Sequence, residues 1–136
     1  MNSPLTFSKE ERISSEKEIA LLFEKGLSFI SYPLRVLYCP KEMPEDTRFS
    51  VLVSVSKRKF KRAVKRNRVK RLIRETYRQN KSCLSEIAPE SCPGLNIAFV
   101  FVGNVVPDFK QVEAAMVKAL SLIKEKENST SDEKPD

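Results

Sequence analysis

The spacing of apolar residues along the chain changes several times, and each change marks an element. Ser15-Glu16-Lys17-Glu18 has the S-x-x-E spacing of a capping box, after which Ile19, Leu22 and Phe23 fall on one helical face. Gly26 offers a left-handed stop, so the spacing predicts a helix over Glu16 to Lys25. After Pro33 the period shortens to two. Leu34, Val36 and Tyr38 share one side of a strand, and Arg35, Leu37 and Cys39 share the other. Beyond a polar turn from Lys41 to Thr47, Phe49, Val51, Val53 and Val55 line a second strand, and the two strands are expected to pair as an antiparallel hairpin.

The helical period then returns. At about 100° per residue, Val69, Leu72, Ile73, Thr76, Tyr77 and Leu84 gather on one arc, with Asn67, Lys70, Arg71, Arg74 and Arg78 opposite. Ala63 and Val64 fall off the apolar arc and Lys65 falls on it. Regular helix is therefore expected from near Arg66, with Lys57 to Arg62 as a basic loop. Leu95 to Val102 is nearly all apolar, the pattern of a strand covered on both faces. Pro107-Asp108 offers a cap, and Val112, Ala115, Met116, Ala119, Leu120 and Ile123 make a last amphipathic helix. The order is α-β-β-α-β-α, with one extra short strand expected before the first helix: an α+β fold, a two-layer α/β sandwich. Residues 1–11 read as an N-terminal arm, 12–126 as one domain and 127–136 as a disordered polar tail.

Charge sharpens this picture. The 136 residues carry 25 Lys and Arg against 18 Asp and Glu, a formal net charge of +7, but the excess is local. Lys57 to Lys81 holds 13 basic residues and a single acid, Glu75. A solvated helix usually mixes signs at i,i+4 spacing, and this one does not, which points to a polyanion as partner. There is no His, which removes the commonest general base and every Ser-His or Cys-His nucleophile pair. Three Gly leave no phosphate-cradling loop, and neither G-x-x-x-x-G-K nor G-x-G-x-x-G occurs. Cys39, Cys83 and Cys92 form no C-x-x-C pair, so free thiols in a reducing compartment are expected. Met1-Asn2-Ser3-Pro4 begins no apolar run of signal-peptide length, and a cytoplasmic location is expected.

One stretch is more specific than charge. Arg66-Asn67-Arg68-Val69-Lys70-Arg71-Leu72-Ile73-Arg74-Glu75 matches R-N-R-x-K-R-x-x-R-E without a mismatch and so resembles the signature of the bacterial ribonuclease P protein subunit. Ser50 to Ser56 looks like that family's G-L-S-V-S-K-type strand, and Phe23-Glu24-Lys25-Gly26 is similar to its V-F-K-x-G helix ending. The resemblance spans about Arg12 to Lys124, strongest at the motif.

The resemblance implies a sheet packed on three helices, with two parallel strands joined by a left-handed β-α-β crossover through the basic helix, against the usual right-handed rule. It implies a protein that assists a catalytic RNA in removing the 5′ leader of precursor tRNA, with Mg²⁺ bound mainly by the RNA. Arg66, Asn67, Arg68, Lys70, Arg71 and Arg74 would contact that RNA, supported by Lys57, Arg58 and Arg62, although Arg68 could instead orient the loop before it. A cleft between helix 1 and the sheet would hold the leader, with Phe23, Val36 and Tyr38 as walls and Ile19 at the edge, where many members carry an aromatic. The tyrosine hydroxyl is expected at a wet edge. The alternatives are a general RNA-binding or ribosomal protein without a catalytic partner and a DNA-binding protein using the Val64 to Arg78 helix. A membrane-surface helix is disfavoured, because Val69, Leu72 and Ile73 are needed for core.

Overall fold

The computed structural model describes residues 16–41, 48–87 and 94–132. Helix α1 (Glu16–Lys25) is followed by strands β1 (Leu27–Ser31), β2 (Leu34–Pro40) and β3 (Phe49–Ser54). Helix α2 (Ala63–Asn80) then runs into a 3₁₀ turn (Lys81–Glu86), strand β4 (Leu95–Phe101) and helix α3 (Phe109–Asp132). The first helix has the bounds its spacing predicts. Gly26 does not stop it through a positive φ, because no glycine takes one. Instead the Gly26 amide donates to the Leu22 carbonyl at 3.0 Å, and a Cβ there would stand 2.3 Å from that oxygen and 3.1 Å from the Tyr38 carbonyl. Close approach, not handedness, demands glycine. The capping residue Ser15 lies outside the described residues, as does the arm over 1–11.

The strands form one sheet in the order β1-β2-β4-β3. The expected hairpin between β2 and β3 does not form. β4 enters between them, antiparallel to β2 (Val36 opposite Phe99) and parallel to β3 (Val51 opposite Ile97). The reason is apolarity. β4 is buried along nearly its whole length, and the middle of the sheet is where α1 on one face and α2 and α3 on the other cover such a strand. The extra short strand exists but follows α1 rather than preceding it. It is β1, paired antiparallel with β2 at an edge of the sheet (Phe29 opposite Val36).

The two faces of the sheet differ. Leu34, Val36, Tyr38, Val51, Ile97, Phe99 and Phe101 point toward α2 and α3 and form the main core with Val69, Ile73, Tyr77, Met116 and Leu120. On the other face α1 seats Leu22 on Leu37 and Ala98, with Ile19, Cys39, Leu52 and Val100 around them. Each buried Leu or Ile contributes about 1.5–3 kcal/mol, so the α2–α3 side carries most of the stability. All six apolar residues expected under the last helix are buried, and Asp108 Oδ1 accepts the Gln111 amide at 2.8 Å as a cap. That helix continues to Asp132, past the Glu127 boundary at which the polar tail was expected to begin. No helix among the described residues is long and apolar enough to cross a membrane.

Candidate nucleic-acid interface

Helix α2 is built as two surfaces. Val69, Ile73, Thr76 and Tyr77 are buried at helical spacing, with the Tyr77 ring 5.9 Å from that of Phe99. Thr76 also bonds its hydroxyl to the Leu72 and Ile73 carbonyls, both at 3.0 Å, so a polar group is satisfied inside the core face. The helix starts at Ala63, three residues before the expected Arg66. Ala63, Val64 and Lys65 are all exposed, so an amphipathic pattern has nothing beneath it to follow there.

The outward surface is cationic. Asn67, Arg71, Arg74, Glu75 and Arg78 line an open recess of about 390 Å³. Glu75 holds Arg78 through two bonds, Nη2 to Oε2 at 2.5 Å and Nε to Oε1 at 3.1 Å, and accepts Gln79 Nε2 at 3.0 Å. Those donors, Arg78 before Gln79, hold the Glu75 carboxyl below its ordinary value. Arg68, Lys70 and Arg71 have no hydrogen-bond or ion-pair partner among the described residues. The lone acid of the basic stretch therefore orients Arg78 and leaves Arg68, Lys70 and Arg71 uncompensated.

The loop preceding α2 is tied down. Phe60 is buried and stacks on Phe101 with centroids 5.8 Å apart and planes at 29°. Arg66 Nη1 donates to the Phe60 and Lys61 carbonyls at 2.8 and 2.9 Å. Lys59 Nζ reaches Asn104 Oδ1 at 3.0 Å, while Lys57, Arg58 and Arg62 remain exposed. Orienting this loop falls to Arg66, whereas Arg68 is exposed.

The second expected surface needs correction. Phe23, 48% exposed, and Ile19, half-buried, stand on α1. Val36 and Tyr38 do not face them. Both are fully buried on the α2–α3 side, where Tyr38 meets Phe29 edge to face at 6.3 Å. Its hydroxyl is not at a wet edge. It is buried without a hydrogen-bond partner among the described residues, and burial, with the Glu127 charge second, pushes the phenol up to about 12. The residues on α1's face are the alternate ones, because a strand's side chains change face at every step and a choice displaced by one residue exchanges the faces. Arg35 and Leu37 lie there. Ile30, Arg35, Val100 and Ser54 form one register row across all four strands, left partly open beyond α1. Sequence reasoning missed Arg35, although its place in the alternation was visible. It also missed Asn96, whose Nδ2 donates to Glu18 Oε1 at 3.0 Å and ties α1 to β4 across 78 residues.

Comparison with known proteins decides what this arrangement belongs to. The ribonuclease P family profile matches residues 7–124. The chain is 48% identical over 122 residues to the ribonuclease P protein component of Porphyromonas gingivalis, covering 88% of this chain and 89% of that protein. It is 34% identical over 115 residues to the ribonuclease P protein component of Petrotoga mobilis, covering 83% and 86%. The chain belongs to the ribonuclease P protein family.

Solved structures agree on the fold. The ribonuclease P protein of Staphylococcus aureus superposes with a TM-score of 0.67 at 24% identity, covering 84% of this chain and 95% of that one. That of Thermotoga maritima gives 0.66 at 22%, covering 82% and 96%. As a member of the ribonuclease P protein family, the chain is a protein subunit of an endoribonuclease of tRNA processing, and its partner in the ribonucleoprotein is an RNA. Family membership also accounts for the matched motif on α2, which a general RNA-binding protein would leave as coincidence.

Proposed function

We propose that the outer face of α2, with the loop before it, docks on the catalytic RNA of ribonuclease P, and that the open sheet face beside α1 holds the single-stranded 5′ leader of precursor tRNA. The observation that carries this reading is the cationic outer side of α2, with Arg68 and Arg71 exposed on it, over a packed underside. Asn67, Arg68, Lys70, Arg71 and Arg74 supply phosphate and sugar contacts from the helix, and Lys57, Arg58 and Arg62 from the loop. Beside α1, Phe23 offers a ring for base stacking, Ile19 and Leu37 an apolar floor, and Arg35 a cation for the leader backbone.

Hydrolysis in this reading is Mg²⁺-dependent and performed by the RNA. The protein's part is to lower the ionic cost of bringing two RNAs together. Cys39 and Cys83 carry thiols rather than a disulfide, which suits a reducing cytoplasm, where precursor tRNA is processed. The test is precursor cleavage by the RNA subunit from the same genome, with and without the protein, at limiting Mg²⁺. Faster cleavage with the protein is expected. No gain, or cleavage by the protein alone, overturns the reading.

A further inference from the structure

The loop from Ser56 to Arg62 carries Lys57, Arg58, Lys59, Lys61 and Arg62, five cations in seven positions, and at that density it should repel itself open. The structure shows it folded. The Ser56 carbonyl accepts the amides of Lys59 and Phe60 at 3.1 and 3.4 Å, and Ser56 Oγ accepts the Arg58 amide at 3.0 Å. Phe60 plugs the loop into the core, and Asn104 holds Lys59. The loop's far end is closed by Arg66, whose Nη1 bridges the Phe60 and Lys61 carbonyls. A sixth positive charge thus sits where repulsion is already greatest, and two carbonyl dipoles turned toward it offset the cost.

We propose that Arg66 is a positioning residue. Its guanidinium clamps the basic loop into its RNA-binding shape before any RNA arrives, and it acts on the ribozyme through the exposed Lys57, Arg58, Lys61 and Arg62 rather than by gripping a phosphate itself. This rests on the reading of the loop as part of the RNA interface. The logic is one of preorganisation: a loop ordered in the free protein loses little freedom on binding, whereas an open polycation must be ordered at that moment. Lysine is a poor substitute, since its ammonium keeps the charge on a stem one bond shorter and falls short of the place that Nη1 holds between the two carbonyls.

A double-mutant cycle separates the roles. Affinity for the ribonuclease P RNA is measured for the full chain, for Arg66→Ala, for a loop-neutral variant (Lys57→Ala, Arg58→Ala, Lys61→Ala and Arg62→Ala), and for the combination. Arg66→Ala should weaken binding about tenfold or more in the parent and less than about twofold in the loop-neutral background, because its effect travels through the loop. The same fold-loss in both backgrounds overturns the proposal, since a phosphate contact is indifferent to the loop. Arg66→Gln enters the same cycle if Arg66→Ala fails to fold. Hydrogen exchange on the free protein gives a second readout. In Arg66→Ala the Lys59 and Phe60 amides should exchange faster while those of Ile73 and Ile97 do not change, and an unaltered loop likewise overturns the clamp. Should the parent fail to bind the RNA, the reading of α2 falls, while the exchange measurement still judges the clamp.

Discussion

Tyr38 shows how much one side chain can depend on a distant segment. Its place on a strand was legible from the alternation of Leu34, Val36 and Tyr38, but its burial was not. The turns of α3 that lie over it carry Lys126, which stands 5.3 Å from the Phe29 ring centroid, and Glu127, whose charge reaches the phenol. A tyrosine hydroxyl by itself favours a wet edge, and the helix that covers this one lies about 90 residues further along the chain, where the polar composition gives no sign of it. The Tyr38 hydroxyl has no hydrogen-bond partner among the described residues, and a buried polar group left so costs about 1–3 kcal/mol. Tyr38→Phe is therefore expected to leave thermal stability unchanged or raise it, and a fall in Tm would show that the hydroxyl has a partner. The pH dependence has a definite sign. The folded phenol titrates at about 12 against an ordinary value of 10.0, so the neutral form is favoured by folding. Its contribution to stability is complete below about pH 10 and is lost as pH climbs toward 12. Alkaline unfolding of Tyr38→Phe should lack this component.

Helix α2 was the most legible element, because its two surfaces obey one period: of the expected arc, Val69, Ile73, Thr76 and Tyr77 are buried, Leu72 is half-buried, and Leu84 is buried in the 3₁₀ turn beyond the helix. Its start was not legible, because Ala63, Val64 and Lys65 are all exposed and leave no amphipathic pattern to read. The two surfaces predict opposite mutant behaviour. Ile73→Ala should cost about 2–5 kcal/mol of stability by denaturant titration while leaving the affinity of the folded fraction intact. Arg71→Glu should do the reverse, weakening RNA binding with little change in Tm. Affinity should also fall with salt. If about six to eight phosphates are contacted, the log–log slope lies at about −4 to −7, and a flat dependence would remove the phosphate account. The strand pairing was illegible for a different reason. Two neighbouring amphipathic strands read as a hairpin by proximity, and only the near-uniform apolarity of Leu95 to Phe101 hinted that it would claim the middle.

At the scale of the whole molecule, the two proposed RNA surfaces belong to different faces of the same sheet. The cationic helix packs on one face through the main core. The open row of Ile30, Arg35, Val100 and Ser54 lies on the other, beside the exposed Phe23. Substrate and ribozyme can then be held at once without sharing contacts. Phe23→Ala should weaken binding of precursors with long leaders by about tenfold, from the loss of one stacking contact, and spare leaderless tRNA. Equal loss on both would take the leader away from this face.

The central strand is also nearly the last to be made, and that sets an order of events. While the chain is being synthesised, β2 and β3 have no neighbour in common until Phe101 emerges, and by then the whole polybasic stretch has already left the ribosome. β2 can pair with β1 earlier, whereas β3 has β4 as its neighbour in the sheet, so a nascent chain halted after Asn80 should show no protected amides in β3 by hydrogen exchange. Completion of the sheet and display of the cationic ridge are then one event, and no partly made copy offers the ribozyme a finished docking face.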